Sequence, residues 1–356
     1  MKENKIISII GHFGGNELFL DGQTVKTKIL YDELKEKTNW KILKVDTYYK
    51  KKNPIKLIFH TIRAILKSKD IIILLSGNGM KIYFPLLYFC SKGFKKNIYH
   101  DVIGGNLDNY VKKYPKYKKY LNEFRCNWVE TQGLKNRLEK LGINNCEVIP
   151  NFKRLNIVSE EEITSKNNDK KVLKLCTFSR VMREKGISEA IDSVEELNDE
   201  RKDDNVFLLD IYGPIDSSYE EEFEDKIEKS SNKIRYCGKI PFDESVDILK
   251  QYDVLLFPTH WEGEGFPGTI IDAFSAGLPV IATEWNCNSE IIENNLDGII
   301  YPNNDVKNLK EAIIEITSNE YVLKKMKKEC LIKANKYSAE SQIKKIINII
   351  EKSKKI

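Results

Sequence analysis

The chain has 356 residues, 41% of them hydrophobic and 31% charged, a composition that fits an ordinary soluble protein of about two domains. The net charge of +5 hides an asymmetry, because residues 1–150 hold 28 Lys and Arg against 14 Asp and Glu, and the rest is net acidic. A basic N-terminal half is expected to meet an anionic partner, although Lys-rich usage is also typical of AT-rich genomes.

The cysteines and the apolar runs narrow the class of protein. Seven cysteines without regular spacing argue against a disulfide scaffold or a zinc cluster, and Cys90, Cys176 and Cys237 are predicted to be buried thiols of a reducing cytoplasm. The apolar run Ile6–Ile10 is too short for a signal peptide. Gly, Lys and Pro interrupt residues 71–90, which therefore predict a strand, a turn and a helix rather than a membrane span.

Two series of apolar runs alternate with helical patterns along the chain. The first series predicts strands at Ile6–Ile10, Lys41–Val45, Ile71–Leu75, Asn97–Val102, Trp128–Glu130 and Cys146–Ile149. Beyond a polar linker or exposed loop, Ser159–Lys171, the second series predicts strands at Val172–Phe178, Val206–Tyr212, Ile234–Tyr236, Val254–Phe257, Val280–Thr283 and Gly298–Tyr301. Such alternation is typical of parallel sheets covered on both faces, with ligands at the carboxyl ends of the strands. The sequence therefore predicts an α/β fold with two doubly wound domains.

The stretch from Glu262 to Val280 is the most informative part of the chain. A Gly- and Pro-rich loop follows the strand Val254–Phe257 and leads into a helical pattern that ends at Gly277. The unpaired N–H groups of a helix N-terminus attract anions such as phosphate. The carboxylates of Glu264 and Asp272 would instead suit the hydroxyl groups of a sugar or a ribose. The expected ligand is therefore a nucleotide sugar.

This stretch resembles the signature of retaining GT-B glycosyltransferases of family 4. The shared features are two carboxylates separated by seven residues, followed by Ala, Gly-x-Pro-Val and Ile-Ala. The family usually carries Glu at both ends and Gly where Pro267 stands, whereas this chain has Asp at the second end. The resemblance implies donor binding by Glu264, Gly265, Phe266, Thr269 and Asp272.

The resemblance also implies the GT-B architecture, in which two Rossmann-like domains face one another across a cleft. It divides the chain into an acceptor-side domain at residues 1–158 and a nucleotide-sugar domain at residues 159–337. The remaining residues, 338–356, contain a last helix, Ser338–Lys354, that is expected to cross back onto the N-terminal domain.

Arg180 and Lys185 carry the second part of the resemblance. They follow the strand Val172–Phe178 and precede Gly186. Two cations at one strand end can neutralise a pyrophosphate, Arg through its planar fork and Lys as a point charge. The family holds its diphosphate with such a pair, so the resemblance makes Arg180, Lys185 and Glu264 catalytic candidates that also bind the donor. Arg183 is expected to be a solvated surface residue.

Loops of the N-terminal half supply further candidates. Gly14 and Gly15 follow the first strand and resemble the family's Gly-Gly loop, which closes over the donor phosphates, although a structural turn is about as good an interpretation. The polar start of the next helix corresponds to the family's N-domain loop, so the resemblance makes Asp21, Gln23 and Lys26 candidate acceptor contacts.

Two more strand ends carry candidate residues. His100 and Asp101 end the fourth predicted strand, where the family often has a His near the reacting sugar. The resemblance thus implies a catalytic His100 and an acceptor-side Asp101, and a His satisfied within a loop is the alternative. Gly213, after the strand Val206–Tyr212, resembles a donor-binding position beside the base pocket.

The sequence contains neither an Asp-x-Asp triplet nor a Walker loop. The leaving diphosphate is therefore expected to be stabilised by fixed cations and helix N–H groups, without a metal or another cofactor. The resemblance implies retaining transfer of a sugar from a nucleotide diphosphate sugar to a glycan or lipid-linked acceptor of a bacterial surface polysaccharide. By family habit the donor is a UDP-sugar, with GDP as the other option. A GT-B UDP-sugar epimerase and a non-catalytic glycan- or membrane-binding protein are the rival functions.

A membrane contact is the last expectation. Residues 50–67 combine apolar residues at helical spacing with a basic flank, and residues 110–120 interleave cations with aromatic rings. Each cation near an anionic inner leaflet contributes about 1 kcal/mol of attraction. These patterns predict a cytoplasmic protein with peripheral contact to the inner face of the plasma membrane, and a solvated Lys-rich face is nearly as good an interpretation. Nucleic acid is the rival partner for such a patch, but the site chemistry gives it no role.

Overall fold

The computed structural model describes residues 5–164, 172–200, 206–241, 244–302 and 305–352, apart from Leu18 and Leu20. The chain divides into two compact units, of which the first comprises residues 1–154 and 337–356 and the second comprises residues 155–336. The domain limits expected from the sequence, after residues 158 and 337, lie within four residues of these divisions.

The first unit is built on a six-stranded sheet in which every neighbouring pair of strands is parallel. Its strands are β1 (Ile6–Gly11), β2 (Lys41–Asp46), β3 (Asp70–Leu74), β4 (Asn97–Asp101), β5 (Cys126–Val129) and β6 (Cys146–Val148). They lie in the spatial order β2-β1-β3-β4-β5-β6. The order reverses direction between β1 and β3, which makes that pair the topological switch point of this sheet.

The helices of the first unit cover both faces of its sheet. They are α1 (Gly22–Lys37), α2 (Tyr49–Lys52), α3 (Pro54–Lys67), α4 (Gly77–Phe94), α5 (Leu107–Lys113), α6 (Lys116–Glu123), α7 (Gln132–Lys140) and α16 (Ala339–Lys352). On one face, α4 buries Phe84 and Leu87 beside strand residues such as Ile98. On the other face, α1 and α16 share one core with β1, and α16 contributes Ile343, Ile346 and Ile350 at helical spacing.

The second unit has its own six-stranded parallel sheet. Its strands are β7 (Val172–Phe178), β8 (Val206–Tyr212), β9 (Ile234–Gly238), β10 (Val254–Phe257), β11 (Val280–Thr283) and β12 (Gly298–Tyr301). Its helices are α8 (Glu160–Thr164), α9 (Ile187–Glu200), α10 (Glu220–Lys229), α11 (Ser245–Leu249), α12 (Gly268–Ser275), α13 (Asn288–Ile291), α14 (Val306–Thr317) and α15 (Glu320–Ala334). Two 3₁₀ turns, Arg183–Lys185 and Asn335–Tyr337, complete the described secondary structure.

The strand order of the second unit is β12-β11-β10-β7-β8-β9. Counted along this unit, it is the 3-2-1-4-5-6 order of a Rossmann fold, with the switch point between β7 and β10. Each of the twelve strands predicted from the sequence overlaps an observed strand, because short apolar runs between helical patterns are a strong signal for buried parallel strands.

Several smaller expectations have mixed outcomes. The predicted linker Ser159–Lys171 contains the helix α8, and its residues 165–171 lie outside the described part of the chain, as do residues 353–354 of the predicted last helix. All seven cysteines are free, but Cys237 is only partly buried, which corrects the expectation of burial there. Among the described residues, no helix combines the length and apolarity needed to cross a membrane.

Candidate functional site

The switch point of the second unit assembles most of the residues that the sequence singled out. The parallel strands β7 and β10 are neighbours, so the loops that follow their carboxyl ends meet at one edge of the sheet. The loop after β7 carries Arg180 and Lys185, and the loop after β10 carries Glu264. Open α/β sheets bind ligands in the crevice at such a point, because the two connections there leave in opposite directions.

Two glycines allow the loops at this edge to pack against each other. Gly186 has φ +69°, and a Cβ atom there would lie 2.1 Å from the carbonyl oxygen of Pro258. Gly213 has φ +138°, and its Cβ would lie 1.7 Å from the carbonyl oxygen of Ser179. Any side chain would force the loops apart, so glycine is required at both positions on steric grounds. Gly213, expected to bind the donor directly, shapes the loop that carries Arg180.

Lys185 and Glu264 form a buried ion pair at the centre of this edge. The ammonium of Lys185 donates to the carboxylate of Glu264, and each side chain is only 9% exposed. The hydroxyl of Thr259 donates a second hydrogen bond to the same carboxylate, at 3.2 Å. The ammonium also lies 5.0 Å from the centre of the Trp261 ring, a distance suited to a cation–π interaction.

A main-chain hydrogen bond connects the two loops that carry this pair. The amide of His260 donates to the carbonyl of Glu184 at 2.8 Å, which ties the segment after β10 to the 3₁₀ turn that carries Lys185. Both charges are therefore placed by backbone bonds as well as by their mutual attraction. Removing either partner of a buried pair leaves an uncompensated charge, at a cost of about 3–5 kcal/mol.

Arg180 has a different environment from Lys185. Its side chain is 60% exposed, and one guanidinium nitrogen lies 3.8 Å from a carboxylate oxygen of Asp216. A guanidinium that is solvated and held by one distant carboxylate can turn to a phosphate at little cost. Arg183 is 67% exposed and pairs with Glu222 on the surface, which is the solvated position expected for it.

Helix α12 begins where these loops end. Pro267 is its N-cap residue, and the hydroxyl of Thr269 donates to the carbonyl oxygen of Phe178 at 3.0 Å, fastening the first turn to the end of β7. The Phe266 side chain is 8% exposed, and the thiol of Cys287 contacts the carbonyl of Gly265 at 3.1 Å. The first turn of the helix therefore lies beside the end of β7, at the switch point of this sheet.

Asp272 lies one turn further along α12, and its side chain is 7% exposed. The spacing of Glu264 and Asp272 thus places one carboxylate in the loop and the other on the helix that the loop enters.

The Gly14–Gly15 loop of the first unit is a capped turn. Both glycines have positive φ angles, +82° and +59°. The amides of Phe13 and Gly15 each donate to the carboxylate of Asp46, both at 2.9 Å. The Gly15 amide is therefore already satisfied, and a phosphate would have to displace Asp46 to reach it. This geometry favours the structural-turn interpretation over a phosphate-binding loop.

His100, predicted from the resemblance to be a catalytic residue, lies in the core of the first unit. The imidazole is 1% exposed and packs edge-on against Phe84, with ring centres 5.0 Å apart. Burial lowers the pKa of His100 to about 3, although Asn127 favours the charged form. The physical reason is strand alternation, since His100 shares a face of β4 with Ile98, the face that α4 covers.

Lys26 and Asp101 are also buried, at 3% and 0% exposure, so neither is presented to an acceptor in this structure. The Lys26 ammonium donates to Asp101 at 2.8 Å and to Glu130 at 3.0 Å. Burial lowers the pKa of Lys26, but these two carboxylates outweigh burial and raise it overall. For the acid Asp101 burial has the opposite effect: it raises the pKa to about 6, although the nearby Lys26 lowers it. The three groups form an internal ionic cluster.

The other two acceptor-side candidates lie at the start of α1. Asp21 is the N-cap of this helix and accepts from the amide of Thr24 at 3.0 Å and from its hydroxyl at 2.7 Å. The Gln23 amide donates to the carbonyl of Leu74 at 3.1 Å. Asp21 thus has a structural role here, and Gln23 bridges to the end of β3.

Sequence reasoning missed three residues that organise these sites. Asp46 caps the Gly14–Gly15 loop, Glu130 completes the Lys26 cluster, and Thr259 holds the Glu264 carboxylate. All three lie at or within two residues of the carboxyl end of a strand. That position is a usable signal, because side chains there gather at the ligand-binding edge of a parallel sheet.

Known proteins share this architecture. The crystal structure of Anabaena HepE in complex with UDP superposes with a TM-score of 0.71 over 98% of this chain and 100% of that chain, at 12% sequence identity. The two six-stranded sheets and this similarity define the class of the chain, a GT-B fold, and confirm the fold predicted from the sequence.

The family follows from the sequence comparison. The model of the family "Glycosyl transferases group 1" matches residues 158–337, just over half of the chain. The chain belongs to this family. The matched segment contains Arg180, Lys185, Glu264 and Asp272.

Curated relatives include two bacterial enzymes. The Escherichia coli UDP-Gal:alpha-D-GlcNAc-diphosphoundecaprenol alpha-1,3-galactosyltransferase is 31% identical over 129 residues, 36% of this chain and 31% of that protein. The N,N'-diacetylbacillosaminyl-diphospho-undecaprenol alpha-1,3-N-acetylgalactosaminyltransferase of Campylobacter jejuni is 25% identical over 240 residues, 65% of this chain and 59% of that protein. The aligned parts thus span less than two thirds of these relatives.

Proposed function

We propose that the chain is a retaining glycosyltransferase that moves a sugar from a UDP-sugar to a lipid-linked glycan acceptor in bacterial surface polysaccharide synthesis. The observation that carries this proposal is the buried Lys185–Glu264 pair at the switch point of the second unit, with the exposed Arg180 in the same loop as Lys185. Two relatives whose names include diphosphoundecaprenol acceptors, and a structural neighbour that binds UDP, support the choice of substrates.

The charges of Arg180 and Lys185 determine their proposed role in the reaction. The bond between the anomeric carbon and the leaving diphosphate oxygen breaks, so negative charge grows on that oxygen in the transition state. Lys185 is held in place by Glu264, and the exposed Arg180 can turn to the phosphate. Cations at these two positions would stabilise the developing charge. The acceptor hydroxyl attacks from the face that the diphosphate leaves, and its proton passes to the departing phosphate. This route retains the anomeric configuration and uses no protein nucleophile.

Glu264 and Asp272 orient the donor. A carboxylate makes stronger hydrogen bonds to hydroxyl groups than a neutral acceptor does. Glu264, in the loop beside Lys185, is assigned to hydroxyls of the donor sugar, and Asp272, on the helix, is assigned to the ribose. Turnover is proposed to need no metal ion, since the two cations take the charge-neutralising role.

A direct test mixes the purified protein with a panel of UDP- and GDP-sugars and a short lipid-linked acceptor. A ligand that binds only the native state raises the melting temperature, which identifies the donor.

Release of the nucleoside diphosphate together with a glycosylated product of retained configuration would support the proposal. An altered UDP-sugar without acceptor would instead identify an epimerase, and inverted product would contradict retention. Unchanged rates with a metal chelator are expected.

The proposal extends to peripheral contact with the anionic inner face of the plasma membrane. The basic excess of residues 1–150 supports it, because cations near an anionic leaflet each add about 1 kcal/mol of attraction. Stronger co-sedimentation with anionic than with neutral vesicles is expected at moderate salt. Equal sedimentation with both would contradict the membrane contact and leave the transferase proposal standing.

A further inference from the structure

A groove lies between α3 and α4 on the first unit. Its volume is about 760 Å³, within the range of about 300–1,000 Å³ that is typical of small-molecule sites. Its walls are mainly apolar. The side chains on the two helices that form them are Leu57, Ile58, Ile62, Ile82 and Leu86.

The groove is open, and its walls are unusually exposed for large apolar side chains. Ile58 is 59% exposed, Ile62 51%, Ile82 70% and Leu86 39%. Phe59, 62% exposed on α3, is not part of the groove lining. Exposed apolar surface that is concentrated on two adjacent helices indicates a binding site, since burying it in a ligand is favourable.

The charges around the groove are almost all positive. Residues 50–96 include eleven Lys and Arg and one acid, Asp70, which is buried and paired with Lys5. Lys50 and Lys51 line the groove, and both are exposed. An anionic headgroup would therefore be attracted to one part of a groove that is otherwise apolar.

The groove also reaches the switch point of the first sheet. His12, which follows β1, and Ser76, which follows β3, line it together with the amide side chains of Gln23 and Asn78. Hydroxyl, imidazole and amide groups at the carboxyl ends of strands are suited to sugar hydroxyls. The groove thus offers apolar, cationic and neutral polar surfaces within one cavity.

We propose that this groove binds one hydrocarbon chain of the lipid-linked acceptor, with the lipid phosphate beside Lys50 and Lys51 and the sugar toward His12 and Gln23. This rests on the proposed function and names the part of the acceptor that the first unit recognises. An isoprenoid or acyl chain meets the apolar walls, and its phosphate meets the lysines. A protein helix would meet the walls equally well, but it would not need the paired cations.

The test uses farnesyl phosphate below its aggregation concentration, in buffer without vesicles, with binding measured by titration calorimetry. We expect Ile62→Glu to weaken binding at least tenfold, because it places a charge on the groove wall. Ile314→Glu is the matched control, since Ile314 is 50% exposed on α14 of the second unit. Phe59→Glu is a second control, on α3 but outside the groove lining. Neither control should change the affinity.

The headgroup is tested with three ligands. Farnesol should bind at least tenfold more weakly than farnesyl phosphate, and inorganic phosphate should not bind detectably. The double variant Lys50→Glu/Lys51→Glu should lose the preference for farnesyl phosphate over farnesol. Equal affinity of farnesol and farnesyl phosphate in the unaltered protein would overturn the placement of the phosphate.

Three further results would overturn the groove as a lipid site. The first is that the unaltered protein does not bind farnesyl phosphate. The second is equal weakening by Phe59→Glu and Ile62→Glu, which would indicate adhesion to a general apolar surface. The third is a concentration-dependent dimer that Ile62→Glu abolishes, which would show that a second copy of the chain occupies the groove. UDP-induced stabilisation is measured in parallel on each variant. Stabilisation by UDP without farnesyl phosphate binding rejects the groove alone. Farnesyl phosphate binding without any response to nucleotide sugars rejects the transferase proposal instead.

Discussion

Lys185 and Glu264 are partners of each other in the second unit, although the sequence assigned them to different parts of one ligand. The ammonium and the carboxylate are hydrogen-bonded, and both side chains are 9% exposed. A diphosphate beside Lys185 would bring a second anion to the same ammonium. Donor binding and the strength of this pair are therefore coupled, and the predictions for the second unit depend on that coupling.

The first prediction concerns stability. Lys185→Met should lower the free energy of unfolding by about 3–5 kcal/mol, because it leaves the buried Glu264 carboxylate without its cation. The double variant Lys185→Met/Glu264→Gln should recover part of that loss, since no uncompensated charge remains. Urea denaturation of both single variants and the double variant gives the coupling energy. Additive losses, with a coupling energy near zero, would show that the pair contributes no stability as a pair.

The second prediction separates two exposed arginines. Arg180→Ala should reduce kcat/KM by about 10²–10³-fold, the usual effect of removing a group that stabilises developing negative charge. Arg183→Ala should change it by less than about twofold, because its guanidinium already pairs with Glu222 on the surface. Neither change should alter the melting temperature appreciably. Equal rate losses in the two variants would show that the diphosphate contact is misplaced.

The positions of the strands could be predicted from the sequence, because each is a short apolar run between helical patterns, and those runs reflect burial on both faces of a parallel sheet. The loops that follow β7 and β10 could be placed at one edge for the same reason. What the pattern could not supply is which side chains become partners. Lys26, Asp101 and Glu130 belong to three separate segments of the chain, and their association depends on packing that no local pattern encodes.

The burial of His100, unlike the Lys26 cluster, could have been predicted from the sequence. Side chains alternate along a strand, so His100 must share a face with Ile98 and Val102, both of them apolar. The next residue, Asp101, takes the opposite face and joins Lys26. The resemblance placed a functional His at this strand end, whereas the alternation of neighbouring residues predicted a buried one.

The third prediction separates the two acids of the site. Glu264→Gln should reduce transfer while leaving UDP affinity equal or slightly higher, because Lys185 is released from its carboxylate partner and becomes available to the diphosphate. Asp272→Asn should weaken UDP and UDP-sugar alike, since both carry the ribose. Calorimetric titration with UDP, at a temperature where both variants are folded, decides between them. If Glu264→Gln loses UDP binding and Asp272→Asn keeps it, the two assignments are reversed.

Asp272→Glu supplies the matched control for that comparison. It restores the residue that family members usually carry and lengthens the side chain by one methylene. UDP affinity within about threefold of the unaltered protein is expected if the carboxylate itself, rather than its reach, is what the ribose needs. A loss as large as that of Asp272→Asn would show instead that the position of the carboxylate on α12 has been tuned to the shorter side chain.

The last prediction concerns pH. The pKa of His100 falls from the ordinary 6.5 to about 3 in the folded chain, chiefly through burial. Below pH 6.5 the unfolded chain therefore binds more protons, and the contribution of His100 lowers stability as the pH falls from 6.5 toward 3. At pH 5 this contribution amounts to about 2 kcal/mol. Asp101 has the opposite effect on stability. Its pKa is raised to about 6 in the folded chain, so between pH 6 and 4 the folded chain binds more protons at Asp101 than the unfolded chain does, and this contribution raises stability as the pH falls.

Comparing variants separates these opposing contributions. His100→Gln removes the titrating imidazole. The free energy of unfolding of this variant, minus that of the unaltered protein, should therefore rise by about 2 kcal/mol when the pH is lowered from 8 to 5. This change is expected whether the variant is more or less stable than the unaltered protein at pH 8. Asp101→Asn should shift in the other direction over the same interval, because it removes the group that favours the folded state at lower pH. Urea unfolding at pH 8, 6 and 5 measures both. A stability difference for His100→Gln that stays constant across this range would show that the pKa of His100 is the same in the folded and the unfolded protein.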